Sequence, residues 1–436
     1  MDIHQGLNGG RQIMVQRPDH SITYFQRGRA GFVQQPFSFH GNDFARRTYV
    51  YHGQSHVNFF LGFGFRGLHL SVYAPSVYYG RSYYGWAYNP WRSPIRYRWG
   101  WMGSPWNSYY GYYFQPSPMY SSASVWLADY LISTNLQAAY AAHQEGGEMD
   151  GDPSGNGAAP LTPEVKQMVA DEVRNQLALE NQESQQNAQG QPVDPGSSGI
   201  ARILNDVAAG HPHVFVAGSA LDVVDNSGAA CSLSDGDALQ LSQAPAPDAT
   251  SAQLLVLASK GGQECPRSDT VVISLDTLQE MQNQMRSVID QGLQTLQANQ
   301  GQGGLPAAPA ASEQTQAVYA SSAPPEDPNA ATQIQQTGQQ ADQAQTDVTT
   351  AVTQNGGAAT SYPADANGQV QNDPNQQQQN NAAPADAPTV TLGQSTSDVE
   401  AILGQPANKA KLGKKIIYNY NGMKVIFTDG RVSDVQ

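Results

Sequence analysis

Apolar and polar residues alternate with a period of two through the first seventy positions, and glycines break the alternation. Such alternation predicts half-buried strands, because successive side chains of a strand point to opposite faces. The runs 11–16 and 21–26 flank Pro18-Asp19, a turn pair in which proline presets φ and aspartate caps the turned backbone. A unit of aromatic, spacer, aromatic, basic residue and glycine then occurs three times, as Phe37-Ser38-Phe39-His40-Gly41, Tyr49-Val50-Tyr51-His52-Gly53 and Phe63-Gly64-Phe65-Arg66-Gly67. Each unit sets two rings on one strand face and releases the chain into a turn at its glycine, which predicts a small antiparallel meander with an aromatic face.

From residue 74 the prolines Pro75, Pro90, Pro94, Pro105, Pro116 and Pro118 come too densely for regular helix or central strand. The expectation there is an extended wrap over the preceding sheet. Helical spacing resumes after Ser124, where Leu127, Leu131, Ile132, Leu136 and Tyr140 mark a helix over 125–142. After a Gly-rich linker, Thr162-Pro163-Glu164 opens a second helix with a capping hydroxyl, a first-turn proline and an acid at the positive end of the dipole. Its stripe of Val165, Met168, Val169, Val173 and Leu177 calls for a partner helix, from this chain or from a second copy. A polar linker covers 181–199, and Ile200, Ile203, Leu204 and Val207 mark a short helix. Five short apolar runs between 214 and 274, separated by turns such as Asn226-Ser227-Gly228 and Lys260-Gly261-Gly262, predict a small antiparallel barrel. Ser274 then caps a helix carrying Leu278, Met281, Met285, Val288 and Leu296.

Residues 299–388 are Gln, Ala, Asn and Pro with scattered acids and few large apolar groups, so burial cannot offset chain entropy and disorder is expected. In the last 48 residues Ser395-x-x-Asp398 opens a helix with Val399, Ile402 and Leu403 inward, and Gly404 and Pro406 end it. Asn421-Gly422 and Asp429-Gly430 are two-residue hairpin signals, and the first pairs Tyr420 with Met423, Tyr418 with Val425 and Ile416 with Phe427 on one face. A helix on a three-stranded meander is the simplest domain.

These last residues resemble the SmpA/OmlA (BamE-like) module, through Thr391-Leu392-Gly393-Gln394-Ser395, the Val399 to Leu403-Gly404-Gln405-Pro406 run, and Val425 to Phe427 with Asp429-Gly430. The resemblance implies an envelope location and a protein-binding, non-catalytic role for a module built on Gly393, Val399, Leu403, Gly404, Pro406, Tyr418, Tyr420, Phe427 and Gly430. The family's lipid-anchor cysteine has no counterpart here. The stretch Tyr84-Gly85-Trp86-Ala87-Tyr88-Asn89-Pro90-Trp91, with Leu127-Ala128-Asp129-Tyr130-Leu131, also resembles Tyr/Trp-rich bacterial envelope proteins, which supply no activity.

Charge is distributed unevenly. Residues 1–140 carry eleven arginines against four acids (+7), residues 389–436 carry +2, and the middle carries −23, for −14 in all. This reads as separate modules. The expected layout is an α+β multidomain chain: an aromatic β head at 1–143, a linker at 144–160, a helix at 161–184, a small β domain with flanking helices at 200–298, a disordered linker at 299–388 and the tail module at 389–436. A charged fraction of 14%, with polarity carried by Gln, Asn, Ser and Gly, suggests an exported protein in the periplasm or at the cell surface. Residues 1–30 contain no apolar run of signal-peptide length, and no stretch is expected to span a bilayer. Cys231 and Cys265, without a C-x-x-C spacing, admit two readings, a pair of buried thiols or a disulfide.

No G-x-S-x-G, H-E-x-x-H or P-loop occurs, so an enzyme, a metal or a cofactor is not expected. Gly62-Phe63-Gly64-Phe65-Arg66-Gly67 fits G-x-G-x-x-G, yet a strand follows it rather than a helix. His52 and His56 would share a face only on a helix, which Gly53 opposes. Asp150-Gly151-Asp152 imitates a calcium loop, but Leu161 stands where the bidentate glutamate belongs. The remaining feature is the stretch from Tyr73 to Tyr130, with all six tryptophans, thirteen of 21 tyrosines and no lysine. Its rings serve either as packing for irregular backbone or as a binding surface made of Tyr84, Trp86, Tyr88, Trp91, Trp99, Trp101 and Trp106. Arg81, Arg92, Arg96 and Arg98 between the rings suggest nucleic acid, but net charge opposes it. The expected function is a non-catalytic envelope scaffold or assembly protein that binds other envelope proteins through its tail. The alternative is a glycan- or peptidoglycan-binding protein using the aromatic belt, and self-association is compatible with either.

Overall fold

The computed structural model describes every residue except 1, 6–10, 27–28, 52, 145–155, 310–313, 357–393, 404–407, 413–414, 421–422, 429–430 and 436. It contains both helices and strands and divides into two compact units, 1–345 and 346–436.

The first unit opens with an antiparallel meander of β1 (Asp2–Gln5), β2 (Arg11–Gln16), β3 (Ile22–Gln26), β4 (Gly31–Phe39), β5 (Asn42–Tyr51), β6 (Gln54–Phe65) and β7 (Leu68–Ala74), paired in chain order. Two copies of the sequence unit, at 37–41 and 63–67, end in hairpin turns, while His52 of the middle copy lies outside the described residues. His40 and Gly41 have φ of 50° and 79°, and Arg66 and Gly67 have 51° and 78°. Two consecutive left-handed residues make the turn whose twist matches flanking strands, and the glycine supplies the second at no steric cost. At the first turn the Asp19 carboxylate accepts from the Ser21 amide (3.0 Å) and hydroxyl (2.7 Å).

A short strand β8 (Val77–Tyr79) leads into α1 (Arg81–Tyr88), α2 (Pro105–Tyr109) and α3 (Ala123–Gln144). The proline-rich stretch is therefore partly helical. Pro105 sits in the first turn of α2, where its missing N–H costs nothing. Tyr78 packs on the sheet with Phe44, Phe59 and Leu61, but most rings of the stretch do not wrap it. Those rings join α3, the helix α4 (Pro163–Ala188) and the C-terminal half of helix α7 (Leu275–Asn299) in one core, where Trp126, Tyr83 and Tyr120 are fully buried. Thr162 caps α4 through the Val165 amide, and Val165, Val169, Val173 and Leu177 enter this core. The partner of that stripe thus lies within the chain. Helix α4 also runs past 184 into the expected polar linker, and Asn181, Glu183 and Asn187 are buried.

Past α5 (Pro195–Ser198) and α6 (Ile200–Ala208) come β9 (His213–Val216), β10 (Leu221–Asp225), β11 (Ala230–Leu233), β12 (Ala238–Leu241), β13 (Ser251–Ala258) and β14 (Thr270–Ser274). They form an antiparallel sheet in the order β11-β10-β14-β13-β12-β9, six strands rather than five apolar runs, with β11 and β9 as edges instead of a closed barrel. Cys231 and Cys265 are joined as a disulfide, and Cys265 is fully buried. The bridge closes a loop of 34 residues. On the chain-entropy account, replacing both cysteines by serine should cost about 4 kcal/mol in a urea melt. A loss below ~0.5 kcal/mol would show that packing alone holds β11 in place.

Helix α7 (Leu275–Asn299) packs on β7 and α3. Its seam with the meander is polar. Asn58 donates to Ser287 (2.8 Å), the Asn283 amide donates to the Ser71 carbonyl (2.7 Å), and Asn283 accepts from the Tyr73 amide (2.8 Å). Arg47 pairs with Glu280 (3.2 Å) and lies 3.9 Å over the Phe60 ring, while Arg29 makes a bidentate pair with fully buried Asp235. The basic head and acidic middle are complementary within one unit, so the charge contrast that suggested separate modules at 1–143 and 200–298 joins them instead.

The segment expected to be a disordered linker departs most from the sequence reading. Of 299–388, residues 310–313 and 357–388 lie outside the described residues. Before residue 357, Leu305 is buried, β15 (Gln314–Gln316) pairs antiparallel with β8, and a 3-10 turn at Val318–Ser322 seats Tyr319 among Phe44, Phe59 and Leu61. Helix α8 (Ala330–Gly356) then sets Ala330 and Ile334 against Val33. Gly31 and Gly338 allow this approach, since a Cβ at Gly31 would stand 2.5 Å from Ile334 Cγ2 and one at Gly338 2.7 Å from the Phe25 ring. Few large residues are needed when each is fully enclosed.

The second unit holds α9 (Thr396–Leu403) and an antiparallel sheet in chain order, β16 (Asn408–Leu412), β17 (Lys415–Tyr420), β18 (Met423–Thr428) and β19 (Arg431–Val435). Tyr420 pairs with Met423, Tyr418 with Val425 and Ile416 with Phe427. The sheet has four strands rather than three, because 408–412 pairs along β17.

Candidate functional site

The seven belt residues do not form a common surface. Tyr84, Trp91, Trp99 and Trp106 are buried, and Trp86, Tyr88 and Trp101 are half-buried against the same core. Packing claims most of the belt because irregular backbone between α1 and α3 has few ladder bonds to fix it, so ring burial must do so. The Trp99 indole N–H donates to the Tyr120 hydroxyl (2.7 Å), which donates to Asp129 (2.9 Å). Asp129 is also paired with Lys166 (3.0 Å), tying loop, α3 and α4 together.

Part of the belt nevertheless borders an open groove of 380 Å³. Trp101, Trp99, Trp126 and Tyr130 stack in sequence, with centroid separations of 5.3, 4.7 and 5.3 Å and interplanar angles below 25°. Tyr97 stands edge-on to Trp99 (5.0 Å) and Trp126 (5.6 Å). Helix α3 contributes Trp126, Tyr130, Ser133, Thr134 and Gln137, which at spacings of three and four residues occupy one helix face, and α7 contributes Thr295. Of these only Trp99 and Trp101 belong to the expected surface. Tyr97, Trp126, Tyr130 and the polar residues depend on how α3 and α7 pack, which no local spacing reports.

Two buried charge clusters lie elsewhere in this unit. Lys260, Asp237 and Glu264 form one, with Lys260 Nζ 2.7 Å from Asp237 and 3.2 Å from Glu264, beside the Tyr113 ring. Burial drives the Asp237 carboxyl well above its usual range, whereas its two acids hold Lys260 protonated. The other gathers Glu180, Glu183 and Asp290 around Arg286. All of these groups except the half-buried Asp290 are enclosed, and they serve as internal ties. Among the described residues no cluster of three or more His, Cys, Asp or Glu could hold a metal, and no helix is long and apolar enough to cross a membrane.

In the tail, Val399, Tyr418, Val425, Phe427 and Val432 are buried together and Leu403 packs against them. Gly393, Gly404, Pro406 and Gly430 lie outside the described residues, and Tyr420 is in β17. Comparison with protein-family models, curated proteins and solved structures finds no match.

Proposed function

We propose that this chain is a non-catalytic, extracytoplasmic scaffold or assembly protein that binds other envelope proteins through its tail. The observation that carries this reading is the tail itself: a helix on a meander with its own small core, in a compact unit separate from the larger one. A unit that buries five large side chains needs little of its surface for folding and leaves the rest for contact. The Cys231–Cys265 bridge supports export, since such bonds persist in oxidising compartments.

The test is a pull-down from envelope extracts with the intact chain and with a chain ending at residue 388. The expected result is a set of proteins retained by the intact chain and lost with the tail. Retention of the same set by both chains would sink the reading.

A further inference from the structure

The stacked column borders a groove lined by aromatic rings and by neutral polar side chains. Trp99 and Trp126 form a buried floor, and Tyr97, Trp101 and Tyr130 are half-buried walls with ring surface toward solvent. Thr134 and Thr295 are half-buried in the same lining and Gln137 is exposed in it, with Thr295 Oγ1 3.4 Å from the Tyr130 hydroxyl. No carboxylate, amine or guanidinium lines the space. A neutral ligand is therefore favoured, because a charged one would lose hydration without gaining a counter-charge.

We propose that this groove is a saccharide-binding site that takes neutral pyranose units. A pyranose with equatorial substituents has apolar C–H faces and a girdle of hydroxyls. The groove lining offers both kinds of contact, aromatic ring surface for the apolar C–H groups and hydroxyl and amide groups for the hydroxyls. At 380 Å³ it falls at the lower end of the range for small-molecule sites, suited to one or two sugar rings. The stack is already assembled by burial of Trp99 and Trp126, so binding orders few side chains. This site is independent of the tail, because every lining residue lies in the first unit.

The test is calorimetric titration of the full chain with chitohexaose, with cellohexaose and with a proline decapeptide, alongside a thermal melt of each variant. Saturable binding of at least one sugar is expected, weakened about tenfold by Trp101→Ala through lost ring contact. Trp101 also stacks on Trp99 and Trp106, so its removal can loosen the core. Gln137→Ala and Thr134→Ala provide the independent check, with about fivefold weaker binding for one lost hydrogen bond and an unchanged melt. Preference for chitohexaose would point to amino-sugar polymers, and equal binding to the pyranose ring they share. The proposal is overturned if neither sugar saturates at millimolar concentration, if sugar binding ignores all three substitutions, or if the proline peptide binds the groove in place of sugar.

Discussion

Replacing Tyr319 by alanine should destabilise the first unit by about 3–5 kcal/mol, the usual cost of removing a fully enclosed aromatic ring. The ring stacks on Phe44 at 4.9 Å, meets Phe59 and Phe39 edge-on, and is wholly inaccessible. Its hydroxyl donates to the Pro75 carbonyl at 2.6 Å. Next to it Asn187 brackets the same segment, accepting from the Val318 amide and donating to the Gln316 carbonyl. Loss of the ring should thus free residues 314–345 before the rest unfolds, and limited proteolysis should cut there first. Tyr319→Phe keeps the packing and should cost about 1 kcal/mol for one hydrogen bond. Urea melts of both variants decide the matter. A loss below ~1 kcal/mol for the alanine variant would mean that the segment is not part of the core.

Replacing Arg286 by methionine should cost about 3–5 kcal/mol at pH 8 and much less at pH 4.5. Arg286 is fully buried, lies 2.7 Å from Glu183 and 3.9 Å from Glu180, and donates to the Tyr73 carbonyl. One cation thus serves three acids, because Asp290 accepts from the Tyr73 hydroxyl in the same enclosure. Burial raises all three carboxyls; for Glu180 the neighbouring Asp290 adds to it, and Asp290 reaches about 6. A carboxyl raised in the fold binds more protons there than in the unfolded chain between the two pKa values. Its stabilising contribution is complete below the unfolded value near 4 and is lost as pH rises through about 6. The unmodified protein should therefore melt higher at pH 5 than at pH 7.5, by on the order of 2 kcal/mol, and Asp237 acts in the same direction. The surface carboxyls Asp19, Asp225 and Glu164, lowered by hydrogen bonds, act oppositely and only below pH 4. Glu180→Gln should flatten the profile between pH 5 and 7.5. An unchanged slope in that variant would place the titrating groups elsewhere.

Local order was legible where chemistry and spacing are local. The basic-residue and glycine pairs at 40–41 and 66–67 sit in turns that demand two left-handed residues, and the Tyr418 to Val425 register follows from a two-residue turn. What pairs across long distances was not legible. Arg29 and Asp235 fall in opposite expected modules, although they are paired as counter-charges. Composition averages a window and so hides Tyr319 and Ile334, whereas burial needs one well-placed ring or branched chain. At the groove, Trp99 and Trp101 stood out as part of the aromatic stretch. Thr134, Gln137 and Thr295 are ordinary helix-surface residues until α3 and α7 are packed together.

Tyr319 closes over Phe44 and Phe59 from about 260–275 positions further along the chain. Ribosomes add about 5–20 residues per second, so the face of the N-terminal sheet formed by those rings waits for tens of seconds before its cover has been made. During that interval the nascent chain presents an uncovered aromatic surface, and closing so long a loop is slow even once synthesis ends. Holdase chaperones that shield aromatic segments during translation would therefore be engaged over this window, and the demand for them would end only when Tyr319 has closed over the sheet.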